Sequence, residues 1–63
     1  MENTTKLRTE FTVDERLHMT SMMNTYGGGF VSALAKAILQ ADPTNASRIY
    51  KAFPEYCNCY LNM

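Results

Sequence analysis

The chain has 63 residues, room for one domain, and a domain that short buries only about 60% of the surface its unfolded form exposes. Six basic residues balance six acidic ones without a run of like charge, which sets aside nucleic acid and anionic lipid as main partners, because both require clustered Lys and Arg. The 46% apolar share is that of a globular protein, and domains this small are usually reinforced by disulfides, metals or oligomerisation.

Disulfide reinforcement is not expected. Cys57 and Cys59 are separated by one residue, so a bridge between them would close a strained, tiny ring and staple nothing. Both are read as reduced thiols in a cytosolic setting. No apolar stretch approaches the ~20 residues that span a bilayer. The opening MENTTKLRTEF lacks the apolar core of a signal peptide, so a cytoplasmic protein with no membrane partner is expected.

Residues 1–12 are polar apart from Leu7 and Phe11, and read as a flexible N-terminal arm. The rest, 13–63, reads as a single helical domain. Thr12 opens the first helix, about 13–25, because its side chain caps the segment while Glu15 completes a capping box. Asp14 and Glu15 then favour the positive pole of the helix. Met19, Met22, Met23 and Tyr26 recur at i, i+3, i+4 and i+7 on one face, with Leu17 off that stripe.

Gly27, Gly28 and Gly29 end this helix, the first of them as a left-handed cap. The segment FVSALAKAILQA has no Gly or Pro and four alanines, and predicts a second helix over about 30–41. Val31, Leu34, Ala35 and Ile38 line one face of it. Gly29, Ala33, Ala37 and Ala41 recur every four residues as a smooth ridge that permits close approach by another helix. Asp42 as cap and Pro43 at the first position start a third helix over about 43–53. Ala46, Ile49, Tyr50 and Phe53 form its apolar stripe. Pro54 breaks it and seeds a short helix over about 55–61. The fold class is therefore all-α, a small three-helix domain with a short C-terminal helical tail.

The three consecutive glycines admit two readings. Glycines opening a helix aim backbone N–H groups at an anion, which would make Gly27, Gly28 and Gly29 a site for a small anionic, nucleotide-like ligand. The segment lacks the Lys and Ser/Thr of a P-loop and no strand precedes it, so a tight turn that lets two helices cross closely is the preferred reading. His18 with Cys57 and Cys59 does not make a structural zinc site, which takes four ligands with paired cysteines two to four residues apart. One histidine with no acid beside it gives no nucleophile, base and orienter set. No enzyme, metal or cofactor is expected. A helix-turn-helix DNA-binding regulator is a minority reading, since its recognition helix PTNASRIYKAF offers only Arg48 and Lys51 among polar Thr44, Asn45 and Ser47.

Five Met, four Tyr and three Phe are a large apolar load for so short a chain. A monomer has little interior to hold them, and exposed apolar patches mark interfaces. Met and Tyr also suit adaptable protein-binding surfaces. A homo-oligomer is therefore expected. The candidate packing, oligomer or partner contacts are Met19, Met22, Met23, Tyr26, Ala33, Ala37, Ile49, Tyr50, Phe53 and Tyr56.

The stretch from Tyr26 to Tyr56 carries a pattern of Gly-Gly before Phe30-Val31, Ala33-Leu34-Ala35, and Ala41-Asp42-Pro43 with Asn45 and Arg48, closed by Ala52-Phe53-Pro54-Glu55-Tyr56. In these residues the chain resembles short proteins encoded by tailed bacteriophages and prophages. The resemblance covers about half the chain and implies a phage accessory protein in the host cytoplasm. It supplies no catalytic residues. By analogy with such proteins, it implies stoichiometric binding to a host protein, including inhibition of a defence protein. The alternative is an oligomeric sequestrant holding a nucleotide-like anion at Gly27–Gly29.

Overall fold

A computed structural model describes residues 7–63. Among them there is no strand, and four helices follow one another as α1 (Val13–Tyr26), α2 (Gly28–Gln40), α3 (Pro43–Ala52) and α4 (Pro54–Leu61). The all-α class is as expected. The tail, however, is a fourth packed helix, with Cys57 fully buried on it.

Local chemistry explains three of the four helix starts. The Thr12 side chain accepts from the Glu15 N–H at 3.1 Å and the Glu15 carboxylate accepts from the Thr12 N–H at 2.9 Å, which is the capping box. The Asp42 carboxylate accepts from the Asn45 N–H at 2.8 Å with Pro43 at the first position of α3. Pro54 stands at the same position in α4, and Phe53 is the single residue that ends α3 and precedes α4. At the first turn two expectations are corrected. The left-handed glycine is Gly28 (φ 75°), one residue after Gly27, which is right-handed (φ −85°), and α2 begins at Gly28, two residues before Phe30.

The helices close a ring in which α1 packs on α2 and α4, and α3 packs on the same two. The core inside it comprises Met19 and Met23 from α1; Val31, Leu34, Ala35 and Ile38 from α2; Ala46 and Tyr50 from α3; and Cys57 from α4. The expected α2 stripe is thus buried in full. On α1 the buried stripe is rotated from the expected one. Met19, Thr20 and Met23 point inward, Met22 is half-buried, and Tyr26 at the last turn is 64% exposed. The buried Thr20 hydroxyl is satisfied by donating to the Arg16 carbonyl at 2.7 Å.

Of the arm, residues 1–6 lie outside the described residues. Leu7 to Thr12 run without helix and are fastened at three places. The Arg8 N–H donates to Asn58 Oδ1 (3.1 Å) and Asn58 Nδ2 returns a bond to the Arg8 carbonyl (2.9 Å), tying the segment to α4. The Arg8 guanidinium grips both Glu15 oxygens at 2.6 and 2.7 Å. Phe11 packs edge-on against Tyr50 with centroids 4.9 Å apart, and the Arg8 guanidinium lies 5.2 Å from the Phe11 ring centroid.

Candidate functional site

The ten residues read from the sequence as packing or partner contacts separate into three groups. Met19 and Met23 are 0% exposed and Tyr50 is 6% exposed, so these three serve the chain's own core and are not accessible to a partner. Met22, Ile49 and Phe53 are half-buried. Tyr26, Ala33, Ala37 and Tyr56 are exposed.

The third group acquires its meaning from a residue the sequence reading passed over. Phe30 is 58% exposed in the first turn of α2 and sits against two rings from the α3–α4 junction. Its centroid is 5.8 Å from that of Phe53 and 5.9 Å from that of Tyr56, which are themselves 6.2 Å apart. All three pairs fall in the range where tilted or edge-to-face rings attract one another. Tyr56, at 40% exposure, and the half-buried Phe53 complete an aromatic cluster open to solvent. Ala33 and Ala37 stand three and seven residues beyond Phe30, so they prolong its side of α2 as a strip with almost no side chain. Both are exposed, so this part of the ridge is not filled by a neighbour within the chain, whereas Ala41 at its end packs against the core. The result is a rigid, ring-bearing knob beside a smooth helix surface. A sequence signal for Phe30 exists: the stripe Val31, Leu34, Ala35 and Ile38 leaves this large aromatic outside it.

The remaining exposed apolar side chains lie elsewhere. Leu17 and Leu39, each about half exposed, border a groove of about 270 Å³ between α1 and α2, lined also by Thr20, Ser21, Asn24, Ala35 and Lys36. The Ser32 hydroxyl donates to Asn24 Oδ1 at 2.7 Å and ties the two helices together.

The glycines differ from one another. A Cβ on Gly27 would overlap the Val31 side chain and stand 2.5 Å from the Met23 carbonyl oxygen, so this glycine is a packing residue. Gly28 and Gly29 face open space. The N–H groups at the start of α2 receive no side-chain cap. Gly27, however, ends α1 as well as preceding α2, donating its N–H to the Met23 carbonyl at 2.9 Å. The negative pole of one helix therefore adjoins the positive pole of the next, which offsets the field an anion would feel there.

Among the described residues no group of three or more His, Cys, Asp or Glu is placed to hold a metal ion. Cys57 is buried and desolvation pushes its thiol up to about 11, a protonated and unreactive state at neutral pH, whereas Cys59 is exposed. Among the described residues no helix is long and apolar enough to cross a membrane. No family model, curated protein or solved structure matches the chain.

Proposed function

We propose that this chain is a binding module without catalytic activity, which engages a protein partner stoichiometrically through Phe30, Phe53 and Tyr56. The observation that carries this reading is the solvent-open cluster of three rings in mutual contact. Aromatic side chains present large area at small conformational cost and are enriched where partners bind most strongly. Exposed apolar patches of this kind mark interaction surfaces. The strip of Ala33 and Ala37 beside them suits a helix, either from a second copy of this chain or from another protein. The resemblance of Tyr26–Tyr56 to short phage-encoded proteins supports a bacterial host protein, including a defence component, as the heterologous partner.

The test compares the parent with Phe30→Ser/Tyr56→Ser and with Ala37→Leu, after circular dichroism has established that the folds match. Sedimentation velocity reads self-association, and quantitative capture from a bacterial lysate reads host binding. Both surface variants are expected to weaken assembly and capture. Ala37 is exposed, so its substitution should leave the stability within about 0.5 kcal/mol of the parent's. A parent that stays monomeric at micromolar concentration, with captured proteins indifferent to all three substitutions, refutes the reading.

A further inference from the structure

Charge on this neutral chain is unevenly placed. Among the described residues Arg8 is committed to Glu15, in the ion pair already described. Three other cations, Arg16, Arg48 and Lys51, border two adjoining hollows that share Pro43 and Ser47. The first, of about 310 Å³, is lined by the Thr9–Phe11 arm, by Arg16 of α1 and by Pro43, Ala46, Ser47 and Tyr50 of α3. The second, of about 440 Å³, runs along the outer face of α3 past Thr44, Ser47, Arg48 and Lys51.

Arg16 is the anomaly. Its Nε is buried and has no hydrogen-bond partner. A guanidinium presents five donors in a fixed fork and stays charged; here the Nε donor alone is unpaired, while the rest of the fork lies within hydrogen-bonding reach of Tyr50. Native proteins satisfy such groups, and the exceptions mark water, ions or function. The Tyr50 hydroxyl lies close enough for Arg16 to oppose the upward shift that burial imposes on it. Thr9, Ser47 and Tyr50, three hydroxyl-bearing residues, line the same hollow. Asp42, the cap that precedes α3, already spends its carboxylate on the Asn45 N–H. Glu10 is the one acid in the lining of either hollow.

We propose that the hollow between the arm, Arg16 and α3 binds a phosphate group, with Arg16 as its charge partner and the hydroxyls of Thr9, Ser47 and Tyr50 as further hydrogen-bond partners. A planar guanidinium matches phosphate oxygens in pairs. Arg48 and Lys51 in the adjoining hollow extend the site to a second phosphate, so diphosphate and triphosphate ligands bind more tightly than a single phosphate. The hollow is of the size that holds small ligands. The site shares no residue with the aromatic cluster and stands independently of the protein-binding reading.

Isothermal titration at low ionic strength uses three probes: inorganic phosphate, pyrophosphate and ATP. Pyrophosphate and ATP are expected to bind more tightly than phosphate. ATP tighter than pyrophosphate indicates a nucleotide, and equal affinities indicate the phosphate chain alone. Arg16→Gln should weaken binding by about tenfold or more, as removal of a charge-assisted hydrogen bond does. Arg48→Gln/Lys51→Gln should affect pyrophosphate and ATP more than phosphate. Glu10→Gln, which removes the opposing charge on an exposed arm, should tighten all three. Arg16→Met should leave the melting temperature of the unliganded protein equal or higher, whereas an arginine held for structure would lower it. No binding at about 1 mM, affinities indifferent to Arg16→Gln and Glu10→Gln, or a lower melting temperature for Arg16→Met would each overturn the proposal. So would duplex DNA binding with the same Arg16 dependence while the three small probes do not bind.

Discussion

Substituting the three consecutive glycines by alanine one at a time gives three different expected outcomes. Gly29 has an ordinary helical backbone in the first turn of α2, and a Cβ there meets nothing within 4 Å. Alanine removes freedom from the unfolded chain at no cost to the folded one, which is worth about 0.4–1 kcal/mol in favour of folding. Gly28 also has space around it, but its φ of 75° is left-handed, and an L side chain there costs roughly 1–2 kcal/mol. Gly27 has no space. The new methyl would collide with the Val31 side chain and with the Met23 carbonyl, and a carbonyl inside α1 cannot turn away without breaking helix bonds. Overpacking of this kind costs typically about 1–3 kcal/mol, and rigid backbone puts it at the upper end. For a domain of this size each kcal/mol moves the melting temperature by roughly 4–8 °C. Thermal melts followed by circular dichroism should therefore order the proteins as Gly29→Ala, parent, Gly28→Ala, Gly27→Ala from most to least stable. Gly29→Ala melting below the parent, or Gly28→Ala melting with it, would refute the reasoning.

Two further outcomes concern titrating groups. Hydrogen bonds from the Arg8 side chain and the Thr12 N–H lower the Glu15 pKa from the ordinary carboxylate value of 4.5 to about 2, so the stability it contributes is present above the unfolded value and is lost as pH falls from about 4.5 to about 2. Glu15→Gln should flatten the dependence of melting temperature on pH within that window, and an unchanged slope would contradict it. The two thiols should react very differently: a thiol-exchange reagent at neutral pH should titrate Cys59 rapidly in the folded chain and Cys57 only as the chain unfolds, with both fast in denaturant. Two equally fast thiols in native buffer would show that α4 is not packed as described.

Sequence legibility followed how far each signal depends on distant residues. The Thr12–Glu15 box and the Asp42–Pro43 start are local, three residues or fewer in reach, and both form as their chemistry requires. The α2 stripe was legible because Val31, Leu34, Ala35 and Ile38 recur at helical spacing, whereas Phe30 and Leu39, the other large apolar residues of α2, form no stripe of their own. On α1 the apolar residues are spread around the helix as Val13, Leu17, Met19, Met22, Met23 and Tyr26. Periodicity alone then allows more than one inward direction. The direction taken is the one that also places Gly27, four residues beyond Met23, against Val31, where only a hydrogen fits. That constraint belongs to the pairing of two helices and is not written in either one.

The exposed cluster was hidden for a related reason. Phe30 meets Phe53 and Tyr56 only after α2 and α3 have folded back and the Phe53–Pro54 junction has turned α4 across them. A heavy aromatic and Met load in so short a chain does predict surplus apolar surface, but not which side chains become the surplus. The largest fully buried side chains are Met19, Met23, Ile38 and Cys57, with no ring among them. Flexible Met fills an irregular small interior that a rigid ring would strain. Every ring but that of Tyr50 is pushed to the rim, where it is half-covered, as Phe11 and Phe53 are, or left open, as Phe30 and Tyr26 are. Exposure at the rim is therefore partly a consequence of size. What size does not require is that the α2 ring of Phe30 converges there on the rings of Phe53, at the α3–α4 junction, and Tyr56, on α4, and that convergence makes the Phe30 cluster, rather than Tyr26, the surface to perturb first.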